Sequence, residues 1–186
     1  GAPVNVSEIF RANAATRPDA VAWIDERRSG VTHAALDAII DAVAQRLLDA
    51  GVRTRQRVAT ALDSGLPMLA VIMAAARIGA ESIDRLAAGD RCDACTASPG
   101  REPSSVAPTL RVTDEWLEVS SSHRARVAMH DGGPAIFRLA HTSGTTGRPK
   151  VVAFSHDLVF ARLEARGRAM HLPPAPRLLS MVRLHA

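Results

Sequence analysis

The chain has 186 residues, of which 47% are hydrophobic and 23% are charged, so it can bury one sizeable core. Because no run of eighteen apolar residues occurs, the sequence predicts no membrane-spanning helix. The net charge is +4, but the arginines are interleaved with acidic residues and only 3% of residues are aromatic, which argues against a nucleic-acid partner. Two cysteines and no signal-peptide pattern lead us to expect a reducing, cytoplasmic location.

The first third of the chain alternates between patterns typical of helices and of strands. A short helix is predicted to begin at Ser7, a plausible N-cap, and a strand is predicted at residues 20–24. The charged stretch 25–30 ends in glycine and is predicted to be a turn. Thr32 then caps a long helix at residues 33–50, whose apolar face consists of Leu36, Ile40, Val43 and Leu47.

A second strand and helix follow in the same order. Residues 57–62 are predicted to form a strand, and a helix is predicted to begin near Leu66 with Asp63 or Ser64 as its cap. Residues 68–78 are apolar almost all round, which predicts a helix buried on most of its surface. This alternation predicts an α/β fold with a largely parallel sheet flanked by helices.

Residues 80–105 have the least regular pattern in the chain. A short strand is predicted around Ile83, and the remainder is interpreted as a helical turn. Cys92 and Cys95 have C-x-x-C spacing, which is found in redox dithiols and in half of a zinc site. Because no second cysteine pair exists, two reduced cysteines at the start of a strand are the favoured interpretation.

The rest of the chain is predicted to contain short elements around one glycine-rich loop. In chain order they are a strand at 109–112, a helical turn near Trp116, a turn at 131–134, strands at 134–140 and 151–154, a helix from Ser155 to about Met170, a proline-rich linker at 172–176 and a buried strand at 177–182.

The loop between the strands at 134–140 and 151–154 has the composition of an anion-binding loop. Glycines let backbone N–H groups approach a ligand, hydroxyls add uncharged donors, and a lysine supplies a mobile positive charge. That lysine is the only one in a chain that otherwise uses arginine. The candidate binding residues are Thr142, Ser143, Gly144, Thr145, Thr146, Gly147 and Lys150.

The loop does not match the phosphate-binding loop of nucleotide hydrolases, in which glycine directly precedes the lysine and serine or threonine follows it. Here Arg148 and Pro149 separate Gly147 from Lys150, and Val151 follows the lysine. The chain also continues into a predicted strand, whereas the hydrolase loop continues into a helix.

The segment from Thr142 to Lys150 resembles the phosphate-loop signature of the adenylate-forming enzymes. These include acyl-CoA synthetases, aryl-CoA ligases, peptide-synthetase adenylation domains and luciferases. The family usually has glycine where this chain has Val151. Thr145 stands where peptide-synthetase domains more often carry serine, so at this position the chain is more similar to the acyl-CoA synthetase branch. The resemblance implies that residues 1–186 form the N-terminal part of the large domain of such an enzyme, without the C-terminal domain.

The same resemblance implies an ATP-dependent ligase. It would convert a carboxylic acid to an acyl-adenylate and pyrophosphate, then pass the acyl group to coenzyme A or a carrier protein. The loop, with Lys150, would contact the β- and γ-phosphates, Mg²⁺ would bind to ligands outside this chain, and His185 would lie near the acyl group. The alternative is a non-catalytic binding module that keeps the fold.

Two further expectations concern the chain by itself. It lacks the family's other nucleotide contacts, so we expect it to be inactive alone and to bind ATP weakly. We also expect it to self-associate, because sheet edges and part of the helix at 68–78 would lose their covering.

Overall fold

The computed structural model of the chain describes residues 4–25, 28–84, 86, 90–102, 107–119, 126–142 and 150–171. The helices of this part of the chain are α1 (Glu8–Thr16), α2 (His33–Asp49), α3 (Leu66–Arg77) and α4 (His156–Met170), with one 3-10 turn at Asp114–Trp116. The strands are β1 (Val21–Asp25), β2 (Arg28–Thr32), β3 (Arg57–Ala61), β4 (Glu81–Asp84), β5 (Ala94–Ala97), β6 (Thr109–Arg111), β7 (Ile136–His141) and β8 (Val151–Ser155).

The core of the fold is a six-stranded sheet with the order β6-β5-β3-β4-β7-β8. Neighbouring strands are parallel except for β7 and β8, which form an antiparallel pair. Helices α2 and α3 pack together, and α3 contacts β3, β4 and β7. The predicted α/β class with a largely parallel sheet is therefore confirmed. No helix in the described ranges is both long and apolar enough to cross a lipid bilayer.

The predicted turn at 25–30 is wrong, because a second strand begins at Arg28. Strand β2 pairs with β1 in a separate antiparallel hairpin, in which Trp23 lies opposite Val31. Val31 is only 6% exposed and is the one large apolar residue of its strand. Apolar alternation is thus absent from β2, which is why its charged and glycine residues resembled a turn.

Helices α2 and α3 form as their apolar patterns predict, but only α2 has the predicted cap. The Thr32 hydroxyl accepts a hydrogen bond from the Ala35 amide at 3.2 Å. Helix α3 instead begins after Gly65, at φ +134°, without a side-chain cap, so the prediction of Asp63 or Ser64 is wrong. The Asp63 carboxylate instead forms an exposed ion pair with Arg101 at 3.1 Å.

The interior of α3 is covered along its length, from Met68 to Ile78, with Leu69 the one partly buried residue. The expectation that part of this helix lacks cover is therefore wrong. Neighbouring α2 and the sheet bury its apolar surface.

In residues 80–105, the strand predicted around Ile83 is present, but a second strand, β5, was not predicted. Strand β4 contains Ile83 as predicted, but the helical turn is not found at 90–102, where β5 lies in the sheet between β3 and β6. All four residues of β5 are buried. Their small side chains, Ala-Cys-Thr-Ala, gave no β-branched or aromatic signal apart from Thr96.

The C-terminal helix is capped as predicted, since the Ser155 hydroxyl accepts from the Leu158 amide at 3.2 Å. Helix α4 ends at Met170, also as predicted. The predicted linker at 172–176, the strand at 177–182 and His185 lie outside the described residues.

Candidate functional site

The predicted phosphate loop opens at the carboxyl edge of the parallel sheet. Strands β3, β4, β5 and β7 run in the same direction, so their last residues, Ala61, Asp84, Ala97 and His141, lie toward the same edge. The loop begins directly after His141. In open parallel sheets this is the edge at which ligands bind.

The base of the loop is closed by two hydrogen bonds between its first and last residues. The Thr142 amide donates to the Lys150 carbonyl at 2.8 Å, and the Lys150 amide donates to the Thr142 hydroxyl at 3.1 Å. Both residues are exposed. They extend the β7–β8 ladder beyond its last pair, His141 with Val151. The loop therefore lies between two strands, as predicted, and Lys150 lies at its exposed base.

The other predicted loop residues, Ser143, Gly144, Thr145, Thr146 and Gly147, lie outside the described residues. The structure thus places Thr142 and Lys150 together and leaves the contacts of the intervening residues as a prediction.

His141 ties the base of the loop to two other parts of the chain. Its Nδ1 lies 3.2 Å from the Asp84 carbonyl oxygen at the end of β4. Its Nε2 lies 2.9 Å from a carboxylate oxygen of Asp90, in the β4–β5 connection. The ring thus links the first residues of the loop to β4 and to the segment before β5.

The Asp84 carboxylate beside this histidine is itself paired. It forms an ion pair with Arg138 of β7, and its Oδ1 accepts from the Thr60 hydroxyl at 3.1 Å. The arginine offsets a negative charge that would otherwise repel a phosphate near the loop. The surroundings of the loop are therefore compatible with an anionic ligand.

Sequence reasoning missed this cluster of Asp84, Asp90, Arg138 and His141. Its members are far apart in the chain and meet only because β4 and β7 are neighbours. One local signal existed, since Arg138 is a charged residue between the apolar residues Phe137 and Leu139 of its strand.

Val151, where the resembled family has glycine, is the first residue of β8 and is 46% exposed. Its extended backbone suits a β-branched residue, so the valine is compatible with the hairpin.

The two cysteines lie close together at the start of β5. Their Sγ atoms are 3.5 Å apart, Cys95 is buried and Cys92 is partly buried. The predicted position of the pair, at the start of a strand, is confirmed, and the reduced state of the two thiols stays a prediction. No group of three or more potential metal-ligating side chains occurs within the described ranges.

A separate open cleft of about 930 Å³ lies at the carboxyl ends of β3, β5 and β6. Acidic residues dominate the charged part of its lining, namely Asp63, Asp114, Glu115 and Glu118. This negative charge makes the cleft unsuited to a polyphosphate.

Comparison with known families and sequences shows which proteins this chain resembles. Residues 10–83 match the family described as AMP-binding enzyme. The hybrid PKS-NRPS synthetase pynA of Aspergillus niger is 30% identical over 171 residues, covering 82% of this chain and 4% of that protein. The long-chain-fatty-acid–CoA ligase FadD13 of Mycobacterium tuberculosis is 25% identical over 199 residues, covering 94% of this chain and 40% of that protein.

Solved structures share the fold at lower sequence identity. O-succinylbenzoate coenzyme A synthetase from Bacillus subtilis, in complex with AMP, has a TM-score of 0.78 at 20% identity, over 95% of this chain and 49% of that one. The AMPPNP-bound form of the nonribosomal peptide synthetase FmoA3 has a TM-score of 0.80 at 22% identity, over 99% of this chain and 21% of that one.

The chain is short beside these proteins, spanning 3% and 10% of the first two curated relatives, malpibaldin synthetase of Mortierella alpina and the synthetase-like enzyme fsqF of Aspergillus fumigatus. The match at residues 10–83, this fold and the loop motif make the chain similar to the AMP-binding family of adenylate-forming enzymes.

Proposed function

We propose that the parent protein activates a carboxylic acid with ATP, releasing pyrophosphate and forming an acyl-adenylate that is passed to a thiol. Residues 1–186 would then form the N-terminal part of its large domain. The observation that carries the proposal is the β7–β8 hairpin. Its loop starts at the ligand-binding edge of the sheet and ends at Lys150, the only lysine in the chain.

In this proposal the loop residues hold the two outer phosphates of ATP. The Lys150 ammonium offers a mobile charge, while the hydroxyls and amides of residues 142–147 surround the phosphate oxygens. ATP supplies the electrophilic phosphorus, and the Mg²⁺ expected with it would take its ligands from outside this chain. His141 and the paired Asp84 position the start of the loop without adding unpaired negative charge.

The substrate is proposed only as a class. Relatives named as peptide synthetases and a relative named as a fatty-acid CoA ligase match over similar shares of the chain. The acceptor is therefore proposed as either coenzyme A or a carrier protein, and His185 as a contact to the acyl group. The alternative is a non-catalytic module that keeps this fold for binding, in which replacing Lys150 would change no nucleotide-dependent property.

Replacement of Lys150 in the parent protein tests the proposal. We expect Lys150→Ala to slow carboxylate-dependent exchange of pyrophosphate into ATP by roughly tenfold or more, because one charge-assisted contact to the phosphates is lost. Arg166→Ala, which removes an exposed charge on α4, is the matched control and should leave exchange unchanged. Equal rates for both variants and the unmodified protein would favour the binding-module alternative.

We propose that the 186-residue chain by itself does not adenylate carboxylates. It would bind ATP only at about millimolar strength, because the loop contacts the phosphates and no other part of the nucleotide. We also propose that two copies associate through β8, an edge strand on which Val151 and Val152 are 46% and 36% exposed. Calorimetry with ATP and Mg²⁺ tests the first statement, and light scattering tests the second. Micromolar binding by a monomer would contradict both.

A further inference from the structure

We propose that Cys92 and Cys95 form a redox modification site in which the two thiols close reversibly to an intramolecular disulfide. This site is separate from the proposed function and does not depend on it. The first observation is contact, since the two Sγ atoms lie 3.5 Å apart in the reduced chain. A disulfide requires about 2.05 Å, so closure needs a movement of roughly 1.5 Å.

The two cysteines have different surroundings, and the difference suits this chemistry. Cys95 is fully buried in β5, where it pairs with Ala59 on one side and Thr109 on the other. Its amide also donates to the Pro108 carbonyl at 2.8 Å. Its position is therefore held by the sheet. Cys92 is only partly buried, in a stretch outside any helix or strand, so it is the sulfur that a small oxidant can reach and that can move.

The segment that carries Cys92 has a defined position. The Arg57 amide donates to the Asp93 carboxylate at 2.7 Å, and the Asp93 amide donates to the Arg57 carbonyl at 2.8 Å. These bonds fix Asp93, one of the two residues between the cysteines, against β3. The fold therefore holds the two thiols next to each other, whereas a flexible C-x-x-C segment does not.

The closing reaction is balanced with hydrogen peroxide as the oxidant. The Cys92 thiolate attacks one peroxide oxygen, the O–O bond breaks, and a sulfenic acid and water form. The Cys95 thiolate then attacks the Cys92 sulfur, the S–O bond breaks, and the oxygen leaves as a second water. In sum, two thiols and one peroxide give one disulfide and two waters. A small dithiol restores both thiols by exchange.

A metal site is the competing use of two adjacent thiols. Zinc in structural sites takes four ligands, and no third His, Cys, Asp or Glu joins the pair to form a metal-binding group within the described ranges. The geometry therefore favours closure of the two sulfurs on each other.

The test is a redox titration of the chain with mixtures of reduced and oxidised glutathione. The chain contains two cysteines, so loss of both thiols and of two hydrogen atoms from the monomer mass reports this disulfide alone. We expect the equilibrium constant for closure to be at least tenfold larger in the folded chain than in the same chain in concentrated guanidinium chloride. An equal or smaller constant in the folded chain would overturn the proposal.

Single replacements separate closure from ordinary thiol reactivity. Cys95→Ser leaves the accessible Cys92, which should now accumulate a glutathione adduct, whereas Cys92→Ser leaves a buried thiol that should react more slowly than Cys92 does. The unmodified chain should pass through the titration without a stable adduct. Adducts or cross-linked dimers as its main oxidised products would also overturn the proposal.

Discussion

At the scale of single residues, His156 is the clearest case of a side chain whose surroundings set its chemistry. It is 1% exposed, its Nδ1 accepts a hydrogen bond from the Val6 amide at 2.9 Å, and its ring stacks on Phe137 with centroids 4.8 Å apart. Burial, with a smaller contribution from nearby His130, lowers the pKa of His156 to about 4, although Asp157 opposes the shift. The ring is therefore neutral in the folded chain near neutral pH.

This lowered pKa predicts that the chain loses stability in mild acid. The unfolded chain binds a proton at His156 near pH 6.5, whereas the folded chain resists protonation down to about pH 4. The stabilisation is therefore complete above about pH 6.5 and is lost as the pH falls toward 4. Between about pH 7 and about pH 5 we expect a loss of roughly 2 kcal/mol from this residue, measured by denaturant unfolding.

Two glutamine variants isolate the contribution of His156 from that of the carboxylates. His156→Gln removes the titrating ring and should flatten the pH dependence, while also lowering stability at neutral pH. His171→Gln replaces an exposed histidine at the end of α4 and should keep the slope of the unmodified chain. Identical slopes for all three proteins would refute the assignment.

The sequence predicted the residues of the site that are local and missed those that are not. Thr142 and Lys150 could be identified because composition and spacing within ten residues define an anion-binding loop. His141 was adjacent to that loop, but its partners Asp84 and Asp90 belong to a different connection. Such pairs depend on which strands become neighbours, and periodicity within a segment contains no such information.

At the scale of elements, the β7–β8 hairpin is held in place by the N-terminal segment. The Gly133 backbone amide donates to the Val4 carbonyl at 3.2 Å, and the side-chain Nδ2 of the buried Asn5 donates to the carbonyls of Ala76 and His130. Gly132 lies against this segment so closely that an added Cβ would meet the Val4 oxygen at 2.1 Å and the Asn5 Cα at 2.6 Å.

This close approach predicts a large effect of a single methyl group. Gly132→Ala should lower the free energy of unfolding by about 1–3 kcal/mol or more, because the backbone of residues 4–5 must move away. Gly167→Ala is the matched control, since its added Cβ meets no atom within 4 Å and lies inside α4. There the same change should stabilise by roughly 0.5–1 kcal/mol through helix propensity.

Thermal or denaturant unfolding of both variants measures these opposite changes in the free energy of unfolding. A Gly132→Ala chain as stable as the unmodified one would mean that the N-terminal segment is not packed against residue 132 in solution.

Among the elements themselves, prediction succeeded where a long apolar pattern or a capping residue marked the segment. Helix α2, with Thr32 and a buried face, and helix α4, with Ser155, are examples. It failed for β2 and β5. The first has one buried large apolar residue, Val31, and the second consists of small residues whose burial comes from its place between β3 and β6. Strand identity there is decided by pairing, which acts across the chain.

At the scale of the whole molecule, a buried ionic network joins three helices. The guanidinium of Arg77 on α3 is 0% exposed and contacts Asp37 at 2.6 Å and Asp41 at 2.7 Å, both on α2. Arg11 on α1 contacts Asp41 at 3.0 Å. The Ser7 hydroxyl, at the predicted N-cap of α1, accepts from Arg77 Nε at 3.1 Å instead of capping its helix.

Asp41 is the residue on which this network converges. A single carboxylate oxygen accepts from Arg77, from Arg11 and from the Val127 amide, at 2.7, 3.0 and 3.3 Å. The oxygen therefore connects α1, α2 and α3 with the segment that precedes the β7–β8 hairpin. Removing this oxygen leaves the fully buried Arg77 guanidinium with one remaining carboxylate partner, Asp37. It also leaves the buried Val127 amide without this acceptor.

We therefore expect Asp41→Ala to destabilise the chain by about 3–5 kcal/mol, the range found when one partner of a buried ion pair is removed. Asp49→Ala is the control on the same helix, because Asp49 is exposed and its side chain accepts only from Gln45 among the hydrogen bonds described, so it should have little effect. Urea unfolding of the two variants gives the comparison. Replacing Arg11, Arg77, Asp37 and Asp41 together with apolar residues should cost less than Asp41→Ala alone, because no charge of the network is then left without its partner. If Asp41→Ala and Asp49→Ala unfold at the same urea concentration, the network does not connect these elements in the folded chain.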